Sequence, residues 1–182
     1  MNDEMTDEQL IREAAGGNAY AFSQLVERHY ITIYKMAYKY VGVKSDAEDI
    51  AQDACIKLAG NIDSFRFDSA FTTWLYRLVI NTAKDYLKKK NRQNSREGLL
   101  FEDALMVAAP DNQEKQMQTR QALEVIDTLP EKLRDAVILV CWEGLTHKEA
   151  AEILGVSEAT VSWRLHEVRK YFNENGKEQH HG

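Results

Sequence analysis

Proline occurs only twice and glycine nine times in 182 residues, too few for the turn-rich chains that build sandwiches and barrels. Sustained alternation of apolar and polar residues is missing as well, so no strand is expected. Only two cysteines occur, Cys55 and Cys141, far apart in sequence. That excludes a disulfide framework and a cysteine-based zinc site, and each thiol falls inside a helical apolar pattern, where a reduced, packed side chain is the expectation. No apolar run approaches the ~20 residues of a membrane span, so no membrane insertion is expected. The amino terminus, MNDEMTDEQ, is acidic and lacks the apolar core of a signal peptide, which points to a cytoplasmic protein. HExxH, a glycine-rich phosphate loop and a nucleophile signature are all wanting, so neither an enzyme nor a cofactor or metal is implied. His180 and His181 stand alone in a tail, residues 176–182, read as disordered.

What is present is a long three-and-four periodicity, the mark of an all-α protein. Thr6 to Gln9 has the form of a capping box opening a short helix that Gly16 and Gly17 end. Asn18 can cap the next, Ala19 to Val41, with Phe22, Leu25, Val26, His29, Ile33, Met36, Ala37 and Tyr40 facing inward. No ligand set accompanies His29, which reads as a histidine at the core's edge. Ser45 to Glu48 is a second apparent capping box. In the helix it would open, Ala47, Ile50, Ala51, Ala54 and Leu58 turn inward and Asp46, Glu48, Asp49, Gln52 and Asp53 form an outward patch. Acids in a first turn complement the helix dipole, which accounts for Asp46 to Asp49 but less well for Asp53. A basic protein partner accounts for all of them.

The stretch from Phe65 to Arg96 begins with aromatics and ends in bases. Phe71, Leu75, Leu78, Thr82 and Tyr86 recur at helical spacing, leaving Arg77, Asn81, Lys84 and Lys88 elsewhere on the surface. Between Arg77 and Arg96 seven Lys or Arg face one acid, Asp85, a local charge of +6 on a chain whose net charge is −6, so the remainder carries −12. A lysine run is ordinarily a solvated helix end. Here Phe65, Phe67, Phe71, Trp74 and Tyr76 precede it, and a basic track beside surfaces that accept unstacked bases is how single-stranded nucleic acid is held. Phe71 and Trp74, at helical spacing, read as packing; the loop Ser64 to Ser69 is the better candidate for touching a base.

Glu97 to Gln118 holds a proline, acids and no stable period, and reads as a flexible linker despite its apolar clump at Leu99, Leu100, Phe101, Leu105, Met106 and Val107. It divides the chain into a domain over 1–96 and a second over 119–175. In the second, Leu123, Ile126 and Leu129 form one short helix; Pro130 starts another, with Leu133, Val137, Val140 and Cys141 inward and Gly144 stopping it. Thr146 to Glu149 is a third capping box, Gly155 to Ser157 turns the chain, and Ser157 caps a helix to about Phe172. This is a helix-turn-helix by spacing. Its second helix would bury Val161, Leu165, Val168 and Phe172 and present Ala159, Ser162, Trp163 and His166 to a major groove, with Arg164, Arg169 and Lys170 beside phosphates. A helix pair of this shape also serves as plain scaffold, but an exposed Trp beside Ser and His argues against it here.

SDAEDIAQDACIKL, then DSFRFDSAFTTWLYRLVINTAKDYL, then TLPEKLRDAVILVCWEGLTHKEAAEILGVSEATVSWRLHEVRKYF carry a resemblance across nearly the whole chain. In that order and spacing they resemble the extracytoplasmic-function sigma factors of bacterial RNA polymerase. The resemblance implies two small helical domains joined by a linker and a transcription initiation factor with no enzymatic activity. Such proteins bind the polymerase core, recognise two promoter elements and help melt DNA at the one nearer the start site. By position, it implies a polymerase contact at Glu48, Asp49, Gln52 and Asp53. Reading and flipping of a base falls to Phe65, Arg66, Phe67, Asp68 and Ser69 with Asn81, while Lys84 and Lys88 lie near the backbone. The upstream element falls to Ser162, Trp163 and His166, with Ser157, Thr160, Arg164, Arg169 and Lys170 around them. Many members are held inactive by an anti-sigma protein. The chain departs from the family where Ser162 and Trp163 replace a basic residue followed by a small one, and where Glu167 replaces a base. The rival reading is a conventional helix-turn-helix regulator, which would bind duplex DNA without polymerase.

Overall fold

The computed structural model describes residues 5–97 and 121–178, with side chains up to 93 in the first segment and 174 in the second. The body of the expected linker, its apolar clump included, lies outside the described residues. Those residues fall into two units, one on either side of it, each helical throughout its regular structure.

The first unit contains α1 (Asp7–Ala15), α2 (Ala19–Val41), α3 (Lys44–Asn61), a 3₁₀ turn (Ile62–Ser64) and α4 (Phe71–Glu97). Local chemistry sets the first two boundaries as expected. Thr6 and Gln9 form a reciprocal capping box, and Asn18 Oδ1 accepts from the backbone N–H groups of Tyr20 and Ala21. Gly42 then ends α2 in the left-handed conformation, φ 68°. The core forms where α2 packs on α1, α3 and α4. Leu25, Ile33 and Ala37 of α2, Ile50, Ala51 and Leu58 of α3 and Leu75, Val79 and Ala83 of α4 all lie in it without solvent exposure. Each large aliphatic side chain so buried contributes ~1.5–3 kcal/mol.

The start of α3 corrects the sequence reading. Val43 occupies the N-cap with no side-chain hydrogen bond, and Ser45 lies within the first turn. The chain leaves Gly42 so tightly that α3 begins before Ser45 can cap it. Asp46 is thereby rotated inward, where it is buried against α4 and is no part of an outward patch.

The second unit contains α5 (121–127), α6 (Glu131–Ala136) running into a π-helical turn (Val137–Trp142), α7 (His147–Leu154) and α8 (Glu158–Glu178). Wider π-type bonds, Glu143 N–H to Ile138 O at 2.9 Å among them, shift the helical register. Ile138 and Leu139 consequently fill the core with Ile126, Leu129, Ala136, Ala150, Ile153 and Val161. Cys141, expected inward at a spacing of four, is exposed, and Val137 and Val140 are half-buried. Cys55 is half-buried, and burial pushes its thiol pKa up. α8 runs on to Glu178, beyond the expected stop and into the stretch read as tail. No helix among the described residues is long and apolar enough to cross a membrane.

Candidate nucleic-acid interface

The loop between the 3₁₀ turn and α4 stands on an aromatic cluster. Phe65 packs edge-on against Phe67, Phe71 and Trp74 at centroid distances of 4.8, 5.6 and 5.8 Å, and His29 of α2 meets the Phe71 ring at 5.1 Å. Phe65 is only 8% exposed. It is therefore the floor of the loop and not a surface offered to a base, a correction to the expected contact set; its packing against Phe71 and Trp74 at the start of α4 explains the burial. Arg66, Asp68 and Ser69 are exposed as expected.

Phe67 is exposed too, at 38%, and holds φ at +61°, the one positive φ outside glycine among the described residues. A bulky side chain in this region is strained. The Arg12 guanidinium of α1 lies over its ring, 4.3 Å from the centroid, while hydrogen-bonding Glu8 at 2.8 and 3.1 Å. Sequence reasoning missed Arg12, because nothing local to α1 announces a ring fifty-odd residues away. α1 is itself moored by Asp7, whose carboxylate meets Arg28 at 2.6 Å and His29 at 2.8 Å. Burial opposes ionisation of Asp7, but these two partners carry its pKa below the usual carboxylate value.

Along α4, Asn81 and Lys88 are exposed and Lys84 is half-buried. Lys88, Lys89 and Arg92 line a surface cavity of about 420 Å³ with Asp85 and Gln93. The lone acid of this stretch, Asp85, pairs with Lys57 of α3 at 3.1 Å, and Lys90 pairs with Asp46. The exposed lysines make a track suited to a phosphate backbone.

On α3, Asp49, Gln52 and Asp53 are exposed and Glu48 is half-buried, 3.8 Å from Lys44. Ile56, 70% exposed, continues this stripe at helical spacing from Gln52 and Asp53. It was read as neither core nor surface from sequence. The result is one exposed apolar side chain bordered by acidic and amide groups.

In the second unit the Thr146 capping box fixes the start of α7, and its hydrogen bonds lower the Glu149 pKa. Gly155 turns the chain at φ 65°, and Ser157 Oγ accepts from Thr160 N–H at 3.1 Å while meeting its hydroxyl at 2.9 Å. Ser157 and Thr160 thus hold the helix start. Ser162, Trp163 and His166 are exposed on one face of α8, Trp163 by 58%. Arg169 and Lys170 flank them, also exposed.

Arg164 is different. It lies one turn from Val161 on the buried stripe and is 8% exposed, which removes it from the expected phosphate contacts. Phe172, expected on that stripe, is 38% exposed. A contact absent from the sequence reading joins the two helices: His147 Nδ1 of α7 lies 2.8 Å from Ser162 Oγ of α8. Among the described residues no cluster of His, Cys, Asp or Glu could hold a metal ion.

Residues 25–93 match the family described as Sigma-70 region 2, and residues 119–171 match Sigma-70, region 4. The chain is 34% identical over 180 residues to the ECF RNA polymerase sigma-E factor of Haemophilus influenzae, covering 93% of this chain and 95% of that protein. The protein of the same name from Escherichia coli K12 is also 34% identical, with 93% and 94% covered. Among solved structures, CnrH in complex with the cytosolic domain of CnrY aligns with a TM-score of 0.67 at 25% identity, covering 94% of this chain and 97% of that one. RpoE of Bartonella quintana, solved with the anti-sigma factor NepR, shares the fold with a TM-score of 0.68 at 24% identity over 86% of this chain and 96% of that one.

Proposed function

The chain belongs to the extracytoplasmic-function sigma factors of bacterial RNA polymerase, and from that premise we propose how its surfaces divide the work of promoter recognition. As a sigma factor it binds core polymerase and directs it to promoters; RNA synthesis itself is the polymerase's chemistry, and the protein acts in the cytoplasm, where polymerase meets the chromosome. The α3 stripe of Glu48, Asp49, Gln52 and Asp53 takes a basic surface of the polymerase. Phe67, Arg66, Asp68, Ser69 and Asn81 receive an unstacked base of the start-proximal element, while Lys84 and Lys88 follow its backbone. Ser162, Trp163 and His166 read the upstream element in the major groove, with Arg169 and Lys170 on phosphates.

One observation carries this reading: an exposed aromatic in a strained loop stands at the head of an exposed basic helix. Extruding a base costs a few kcal/mol, and stacking plus hydrogen bonds in such a loop returns a comparable amount. With a net charge of −6, the free protein should bind duplex DNA weakly, and affinity should emerge once the polymerase adds its own contacts. Both solved relatives named above carry a bound protein, and an anti-sigma factor is the corresponding partner to seek for this chain.

The test is transcription in vitro with core polymerase, this protein and sheared genomic DNA, mapping the RNA starts. Defined starts that share two upstream motifs are expected. An absence of starts, with tight duplex binding in the absence of polymerase, would instead identify a conventional regulator.

A further inference from the structure

We propose that His147, on the first helix of the helix-turn-helix, is a specificity-determining positioning residue for the upstream element, acting through Ser162. This rests on the reading that α8 enters the major groove. A serine hydroxyl is an ambiguous reader, because its single proton rotates and the oxygen can donate to one base edge or accept from another. Alone on an exposed helix face it would tolerate several bases. In this structure Ser162 is not alone: His147 Nδ1 lies 2.8 Å from its Oγ.

The ring narrows this ambiguity in either tautomer. If Nδ1 accepts, the hydroxyl proton points at His147 and only oxygen lone pairs face the DNA, suited to the amino group of adenine or cytosine. If Nδ1–H donates, it occupies one lone pair and turns the hydroxyl proton outward, toward an acceptor such as N7 of a purine, guanine O6 or thymine O4. In both cases the ring fixes the hydroxyl rotor, and so favours one kind of base contact over the other. His147 is held to do this. It is the first residue of α7, directly after Thr146, whose side chain and backbone are locked to Glu149 by hydrogen bonds of 2.7 and 2.8 Å. Trp163 and His166 stand on the same exposed face of α8, so the pair belongs to the proposed reading surface.

The experiment uses holoenzyme assembled from core polymerase and the full chain, on a promoter mapped by transcription from genomic DNA. Each base pair of its upstream element is substituted in turn, and open-complex formation is measured for wild type, His147→Ala, Ser162→Ala, the double variant and His147→Gln. We expect Ser162→Ala and His147→Ala each to reduce discrimination about fivefold at the same base pair, with no further loss in the double variant. His147→Gln, whose amide can also bond the hydroxyl, should restore much of it. The proposal is overturned if Ser162→Ala relaxes one base pair and His147→Ala leaves that preference intact or weakens binding to every sequence alike. It is likewise overturned if both His147 variants lower the unfolding midpoint and His147→Gln restores nothing, since the ring would then serve only the helix start. If neither Ser162→Ala nor Trp163→Ala alters any upstream position, the major-groove reading of α8 itself fails and takes this proposal with it.

Discussion

Asp46, on the helix proposed to face the polymerase, accepts a hydrogen bond at 2.9 Å from the hydroxyl of Tyr86, on the helix proposed to follow DNA. The same carboxylate pairs with Lys90 one turn further along α4. Burial, the bond to Asp46 and the neighbouring charges of Asp46, Asp49 and Asp53 push the Tyr86 phenol far up, so it stays protonated and donates throughout the physiological range. The two helices are therefore held in a fixed rotation by a part-buried polar contact as well as by Leu75, Val79 and Ala83. A fixed rotation sets where the basic track lies relative to the acidic stripe.

Replacing Asp46 by Ala should accordingly destabilise the first unit by ~1–3 kcal/mol, since it removes the partner of the part-buried Tyr86 hydroxyl and the ion pair with Lys90, whose own ammonium can turn to solvent. Tyr86→Phe should lose only ~1 kcal/mol. Urea unfolding of both single variants and the double variant provides a cycle for the pair. Strict additivity would show that the contact contributes nothing. In transcription assays Asp46→Ala should impair promoter opening more than assembly with core polymerase, because the acidic stripe stays in place while the track shifts.

Phe67 yields an inversion of the usual order between alanine and glycine. At φ +61°, Phe67→Ala loses the ring contacts and keeps the strain, whereas Phe67→Gly loses the ring and relieves it. The glycine variant should be the more stable by ~1–2 kcal/mol, as read from urea unfolding. Both should open promoters poorly, since neither presents an aromatic face. Equal opening by all three chains would mean that the ring does not receive a base.

How much of this was legible beforehand follows from the range of each interaction. The caps at Thr6, Asn18 and Thr146 are local, and the residues that make them lie within four positions of one another; they were readable directly. Ser45 to Glu48 carried the same pattern but failed, because Gly42 and Val43 start α3 earlier than the pattern requires. The inward turn of Asp46 depends on Tyr86 and Lys90, forty or more positions away. Cys141 was misplaced because a π-helical turn breaks the 3.6-residue period from which burial was read. Arg164 was misplaced because a charged residue was given to the solvent by type, although its position puts it one turn from Val161. The exposed face of Ser162, Trp163 and His166 was legible, being the complement of a clear stripe. Arg12 over Phe67 and His147 beside Ser162 were not, since the first joins α1 to a distant loop and the second joins two helices.

Asp7 gives the amino-terminal helix a pH dependence. Its carboxyl is lowered by Arg28 and His29 against the opposing effect of burial. A carboxylate depressed in the folded state stabilises the fold above its unfolded pKa, about 3.9, and loses that contribution as the pH falls through the lower folded value. Asp7→Asn should therefore unfold at lower temperature than wild type near neutral pH, and the gap should close as the pH is taken below ~4. A gap that persists unchanged into acid would mean that Asp7 acts through packing and not through its charge.

Trp163 separates recognition from folding most cleanly. It is 58% exposed and on the face opposite the buried Val161, so Trp163→Ala should leave thermal unfolding within ~0.5 kcal/mol of wild type. Its indole face can lie against a thymine methyl, and losing such a contact should weaken the upstream element by ~1–3 kcal/mol. The comparison that matters is between one promoter with its upstream element intact and the same promoter with that element scrambled. On the intact promoter the variant holoenzyme should lose roughly thirtyfold in open-complex formation, the middle of that range; on the scrambled one it should match wild type, since the base contact has already gone. An equal loss on both would place Trp163 in a contact indifferent to sequence, such as the sugar-phosphate backbone, and the recognition face of α8 would then have to be carried by Ser162 and His166 alone.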